Sequence, residues 1–192
     1  MLKPYIDAGQ VSLHVSHGEK LSFPDESFDG AFICFVLEHT ENPLQVLKEL
    51  KRVMVSGSSL YCTEAFNASL YIYPRCQASQ SYWEIFSRQQ SNLNGDPDVG
   101  IKLCNLALKA NFSQPMLNPI PIYLDDRIKN ASQRSDLVDW FLEVLLSAAP
   151  SLINQNKITR SLIEQMRQEF NVIKYCQESI FLYTFQQMKA VK

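Results

Sequence analysis

The stretch Leu21–Gly57, LSFPDESFDGAFICFVLEHTENPLQVLKELKRVMVSG, holds a proline turn, an apolar run, an acidic–histidine pair and an amphipathic helix in one block. Phe28–Leu37 is nearly continuous in apolar residues after an aspartate, the pattern of a central parallel strand covered on both faces. A buried helix would give the same run, but Gly30 and the aromatic and β-branched content favour a strand. The next helix carries signals at its start. Asn42 can cap, Pro43 suits the first helical position, and Gln45 stands where a capping box would close. Leu44, Leu47, Leu50 and Met54 form one apolar stripe, opposed by Lys48, Glu49, Lys51 and Arg52, and Gly57 is the expected stop. SLYCTEA, Ser59–Ala65, then returns as a second buried strand. Strand, helix and strand at this spacing suit a parallel crossover unit, so the fold class is α/β.

Outward from this block the signals are weaker. VSLHVS, Val11–Ser16, alternates apolar and polar residues and reads as a short strand ended by Gly18. Between Phe66 and Gly95 the chain is rich in aromatics, including Tyr71, Tyr73, Tyr82, Trp83 and Phe86, which suits either a helix covering the sheet or an aromatic-lined pocket. Asp96–Phe112 is a second amphipathic helix, starting at Asp96 and Pro97 with Asn111 near its end. The prolines at 115, 119 and 121 restrict the next segment to an irregular or edge strand. Ser135–Ala149 and Thr159–Tyr175 are helical in period, with Pro150 between them, and Glu178–Val191 closes as a long strand. With 192 residues, one domain spanning 1–192 is the expectation.

The totals exclude several classes. A net charge of −2 with no basic cluster argues against a nucleic-acid partner. Five cysteines, an odd number with no Cys-x-x-Cys, read as reduced thiols, and no Cys/His pair stands at ligand spacing, so no metal is expected. The first residues show no signal-peptide pattern and no window reaches about 18 uninterrupted apolar residues, so a cytoplasmic protein without a membrane span is expected.

The chain contains no Gly-x-Gly-x-x-Gly, phosphate-binding loop, Gly-x-Ser-x-Gly or His-Glu-x-x-His. Because ligands of open α/β sheets bind outside the carboxyl ends of the strands, two segments stand out: HGEK, His17–Lys20, and CFVLEHT, Cys34–Thr40. His17 is either an exposed turn residue or the edge of a ligand site. His39 follows Glu38, whose carboxylate could orient the ring as a general base; the other role open to it is to bond the loop at a helix start. Glu64, at the end of the next strand, has the same two roles open.

The opening block resembles the second half of the core of class I S-adenosylmethionine-dependent methyltransferases, in the type 11 group that includes ubiquinone and menaquinone biosynthesis enzymes. LSFPDESFD supplies Leu21, Phe23, Asp25, Ser27, Phe28 and Asp29 of that group's pattern. FVLEH supplies Leu37 and His39, and KELKRVMVSGSSLY supplies Glu49, Arg52 and Val53. The helix in Asp96–Phe112 and the strand FLYTFQQMKA are similar more weakly. The resemblance implies a partial Rossmann-like fold, a parallel sheet with an antiparallel last strand, plus a helical cap formed by insertions at 66–95 and 130–176. It implies S-adenosylmethionine as cofactor, with His17 and Gly18 at the adenine and Cys34 and Phe35 beside the methionine. It places His39 or Glu64 to take a proton from a small-molecule acceptor, with Tyr82, Trp83, Trp140 and Phe141 as candidate pocket walls.

Two departures from the family pattern carry consequences. His17 stands where the family has an acidic residue, and Ser56-Gly57-Ser58 replaces Pro-Gly-Gly. The family's opening strand, its Asp-x-Gly-x-Gly loop and the second strand have no counterpart here. In the family these two strands separate its third from its fourth, so the strand at Asp29–Phe35 would keep an open edge. Either Val11–Ser16 moves across to pair with it, or a second copy or partner chain covers it. The alternative function is a truncated, non-catalytic interaction or regulatory subunit.

Overall fold

A computed structural model describes residues 2–192. The decisive block folds as β1 (Phe28–Cys34), α2 (Pro43–Val53) and β2 (Met54–Glu64), preceded by a short helix α1 (Lys3–Asp7). β1 and β2 pair in parallel, with Ala31 opposite Leu60 and Ile33 opposite Cys62. Asn42 caps α2 through its side-chain oxygen, which accepts the Gln45 N–H at 3.1 Å. Gln45 itself turns away to donate to the Glu19 carbonyl, so the capping box does not close.

Beyond β2 the chain forms β3 (Tyr71–Tyr73), α3 (Gln77–Asn92), α4 (Val99–Lys109) and β4 (Ser113–Leu124). It ends with α5 (Ala131–Leu146), α6 (Ala149–Asn154), α7 (Arg160–Tyr175) and β5 (Ile180–Val191). β5 runs antiparallel to β2, β3 and β4, while β1 to β4 all run the opposite way. β4 flanks β5 along nearly its whole length on one side; on the other, β2 pairs with its C-terminal half and β3 with its start. β4 is an edge strand, which is where its prolines are tolerated.

Two apolar cores share β5. Met188 and Ala190 pack with Ile33, Leu60 and Cys62 beneath Val46 and Leu47 of α2 and Val99, Leu103 and Ala107 of α4. Phe181 and Tyr183, of opposite strand parity, pack with Tyr82 of α3, Val138 and Phe141 of α5, Leu152 of α6, and Met166 and Phe170 of α7. Side chains of opposite parity leave a strand on opposite faces, so the helical cap covers the far face of the sheet from α2 and α4, at one end only. At the other end that far face is bare. Phe32, Tyr61, Lys189 and Met116 line up across four strands, with Phe32 66 % and Met116 63 % exposed. No helix among the described residues is long and apolar enough to cross a membrane.

The residues 21–25 of the opening block are clamped by α2. Arg52 donates to the carbonyls of Phe23 (2.9 Å) and Leu21 (3.0 Å), to the Asp25 carboxylate (2.7 Å) and to Glu49 (2.9 Å). Glu49 in turn accepts the Leu21 N–H at 3.0 Å. The planar guanidinium can serve this many acceptors at fixed angles, which an ammonium cannot.

Several expectations are corrected. Val11–Ser16 forms no strand; its side chains are mostly exposed and its neighbour, the turn His17–Lys20, closes on itself with the Lys20 N–H on the His17 carbonyl. Gly18 lies against Val46, so this segment is tethered to α2 rather than to the β1 edge. A strand forms only where a neighbour takes up its backbone hydrogen bonds, and held on α2 this segment does not lie along the free edge of β1. The outer edge of β1 is therefore unpaired among the described residues, and the expected movement of Val11–Ser16 onto it does not occur. Gly57 does not stop α2, which ends at Val53; it sits at φ +80° inside β2, where the register with β1 slips between Phe28 and Gly30. Asp96 and Pro97 precede α4 rather than open it, and Pro150 starts α6 instead of merely separating two helices.

Candidate active site

The carboxyl ends of β1 and β2 are joined by one side chain. Glu64, the last residue of β2, is fully buried. One of its oxygens accepts the N–H groups of Val36 (3.1 Å) and Leu37 (2.9 Å), and the other accepts that of Glu38 (3.2 Å). These bonds fold the chain after β1 into the single turn Leu37–His39. Burial pushes the Glu64 pKa up, and the three N–H donors pull against it. With its oxygens occupied and no accessible surface, Glu64 positions the turn rather than facing a substrate.

Glu38 shares the burial but keeps some exposure and an imidazole partner. It is 9 % exposed, and burial together with the charge of Glu64 raises its carboxyl to about 7. His39 Nε2 lies 3.1 Å from its Oε1, and the imidazole, 61 % exposed, reaches solvent. A carboxyl that changes protonation near neutrality, in contact with an imidazole, can pass a proton between a bound molecule and water. Sequence reasoning valued Glu38 only as the partner of His39. The signal it missed is long-range: the parallel pairing of β1 and β2 brings Glu64 beside Glu38.

The lip of this site is apolar. Phe35 adopts φ +54°, a left-handed conformation unusual for an aromatic residue, with its N–H on the Thr63 carbonyl (2.9 Å) and its ring on Phe185. Such a conformation costs on the order of 1 kcal/mol and bends the chain off the end of β1. Cys34 and Val36 are exposed beside it. Burial, then Glu64 and Glu38, push the Cys34 thiol up, so it stays protonated. His17 is exposed and Gly18 half-buried; both stand in the turn held on α2.

A tight loop pins the strand ends from the other side. The Asp96 N–H donates to the Glu38 carbonyl, and the Gly100 N–H to the Ala65 carbonyl, both at 2.9 Å. A Cβ on Gly95 would stand 2.4 Å from the Glu38 carbonyl oxygen, and one on Gly100 2.5 Å from that of Ala65. Only glycine permits this approach.

The four aromatic residues expected as pocket walls separate in space. Tyr82 and Phe141 lie inside the cap core, with the Tyr82 hydroxyl donating to the Leu145 carbonyl (2.6 Å) and the Phe141 ring 4.0 Å from that of Phe181. Trp140 is half-exposed on α5. Trp83 alone of the four borders a cavity, of about 540 Å³, between β3 and α3. Its indole N–H donates to the Asn67 carbonyl at 2.8 Å. Asn67, buried, also contacts Gln90, and Gln90 donates to the Glu38 carbonyl. The cavity and the strand-end site are thus two side chains apart. Among the described residues no three His, Cys, Asp or Glu side chains gather as a metal site.

With this geometry, residues 3–62 match a model of the methyltransferase domain family. An uncharacterised methyltransferase of Schizosaccharomyces pombe is 35 % identical over 94 residues, covering 48 % of this chain and 33 % of that protein. Over these residues the chain is similar to methyltransferases. A demethylmenaquinone methyltransferase of Lysinibacillus sphaericus is 36 % identical over 61 residues, covering 32 % of this chain and 26 % of its own. The chain therefore spans about a third or less of these relatives. Among solved structures, a Bacillus halodurans protein assigned as a methyltransferase superposes with a TM-score of 0.54 at 13 % identity, over 100 % of this chain and 85 % of its own. A [4+2]-cyclase superposes with a TM-score of 0.51 at 14 % identity, over 99 % and 60 %. Likeness at such identities concerns the fold alone, and the fold by itself does not fix a reaction.

Proposed function

We propose that this chain carries the acceptor side of an S-adenosylmethionine-dependent methyltransferase that acts on a small molecule in the cytoplasm, with Glu38 and His39 as its proton-handling pair. The observation that carries the reading is the Glu38 carboxyl, raised to about 7 at the end of β1 and in contact with a solvent-reaching imidazole. Cys34, Phe35 and Val36 offer an apolar lip, and the ionisable side chains behind it, Glu38 and Glu64, are acidic. That combination suits a cofactor with a cationic sulfonium on an apolar body. When bound, the cofactor supplies a methyl group already activated for transfer. The protein's part is then to position the acceptor and receive its proton. Glu38, held by Glu64 and Gln90, takes the proton, and His39 relays it outward. His17 and Gly18 would lie toward the adenine, and the cap formed by 66–95 and 130–176 would select the acceptor.

No Gly-x-Gly occurs between Met1 and Lys192, so the face of the cofactor that the family grips with its glycine loop would be held from outside these residues. A neighbouring polypeptide segment or partner chain covering the β1 edge would supply it. A second reading, a non-catalytic interaction or regulatory subunit, is favoured by that same open edge and by the bare row from Phe32 to Met116.

Calorimetric titration with S-adenosylhomocysteine separates the two. Micromolar binding that weakens in Phe35→Ala supports the enzyme. Absence of heat up to millimolar ligand favours the subunit.

A further inference from the structure

The cavity between β3 and α3 is of a size that takes a small organic ligand. Leu70, Ile72 and the indole of Trp83 line it, Tyr71 and Tyr73 border it from β3, and Arg75 stands at its rim. Flat apolar walls of this kind favour an aromatic ring, which gains from stacking as well as from burial. The rim adds a charge of defined orientation. Arg75 Nε donates to the Gln80 side-chain oxygen at 3.3 Å, and the Gln80 amide donates to Glu84 at 3.0 Å. Gln80 thereby orients the guanidinium and occupies one oxygen of the lining carboxylate. The two terminal nitrogens of Arg75 have no hydrogen-bond or ion-pair partner among the described residues. A guanidinium fork held through Nε and free at both terminal nitrogens is shaped for a planar carboxylate.

We propose that this cavity binds an aromatic carboxylic acid, its ring between Trp83 and the β3 side chains and its carboxylate on Arg75. The assignment of that ligand as the methyl acceptor rests on the methyltransferase reading; the binding itself does not. The link to the reaction centre runs from Trp83 through Asn67 and Gln90 to the Glu38 carbonyl.

The chain contains two tryptophans, Trp83 and Trp140, so in a Trp140→Phe background Trp83 fluorescence reports on the cavity alone. Three probes of one shape are titrated: 2-naphthoate, 2-naphthalenemethanol and 2-naphthylmethylamine. The expected result is quenching by naphthoate with at least tenfold tighter binding than by the alcohol or the amine. Arg75→Gln should remove that preference, whereas Glu84→Gln should leave naphthoate binding unchanged or a few-fold tighter. Arg75 is exposed, so its replacement leaves the fold intact. Absence of naphthoate binding, equal binding of all three probes, or full retention of preference in Arg75→Gln each overturns the proposal. S-adenosylhomocysteine is titrated in parallel. Naphthoate binding without cofactor binding removes the acceptor assignment and keeps the site; cofactor binding without naphthoate binding overturns the site and leaves the methyltransferase reading standing.

Discussion

The half of the molecule built from β1, α2, β2 and α4 and the half built from α3 and α5 to α7 on the start of β5 are held together by different forces. In the first, specific polar contacts set the backbone. Arg52 clamps residues 21–25, Glu64 gathers three N–H groups, and Gly95 and Gly100 let the 95–100 loop touch both strand ends. In the second, bulk packing dominates, with Phe141, Met166, Phe170 and Phe181 in one closed core. Its polar fixtures are fewer: Glu169 of α7 accepts the N–H groups of Ala78 and Ser79, and Arg134, buried where α7 ends, donates to the carbonyls of Ile173 and Cys176. A cation there complements the helix dipole. The first half is also incomplete, with an open strand edge and a bare sheet face, whereas the second is closed. Polar clamps need particular residue types at particular positions, while an apolar core accepts many substitutions of similar volume. That is why the family pattern is concentrated in the first half and fades in the cap.

Substitutions in each half put this contrast at risk. The largest effect is expected in the packed half. Phe170→Ala should cost about 3–5 kcal/mol in denaturant unfolding, and Phe170→Leu well under half of that, because only the lost volume matters there. If alanine and leucine cost the same, the cap is not held by packing.

In the polar half volume counts in the opposite sense. Adding one methyl group, in Gly100→Ala, should cost about 1–3 kcal/mol by pushing against the Ala65 carbonyl. It should speed hydrogen exchange at the Gly100 and Asn67 amides while leaving those of α7 unchanged. Exchange that rises equally in both halves would erase the distinction.

The smallest effect concerns pH. The Glu38 carboxyl is raised from 4.5 to about 7 in the folded chain, so the folded state holds its proton more tightly than the unfolded state. The stability this gives is full below pH 4.5 and is lost as pH rises through about 7. Glu38→Gln should abolish that loss, giving a flatter stability profile across this window and a more stable chain at pH 8. An unchanged slope would place the titrating group elsewhere.

Much of the first half was legible because its order is local. The apolar run at Phe28, the cap at Asn42 and the stripe on α2 are each local, and they formed, except that the strand ends at Cys34 rather than Leu37 and Met54 opens β2 instead of closing the stripe. Val11–Ser16 was misleading for a related reason. Alternation describes a strand's faces and says nothing of whether the segment lies along an open edge; this one is held on α2, away from the free edge of β1. Tyr82, Phe141 and Trp83 share a residue class and a helical setting, so periodicity could not tell the two that fill the core from the one that lines the cavity. Only the packing of α3 on β3 and α7 separates them. Glu38 stayed hidden because its raised pKa needs burial and a second carboxylate 26 residues away in the chain.

In the proposed chemistry Glu38, in the turn after β1, is the proton acceptor. The direct measurement is a side-chain carboxyl ¹³C NMR titration of Glu38 in the folded chain, repeated in Glu64→Gln. A midpoint near 7 that falls when the Glu64 charge is removed is predicted, with the His39 ring signals sensing the same event. A midpoint at the ordinary carboxylate value, about 4.5 and indifferent to Glu64, would contradict it.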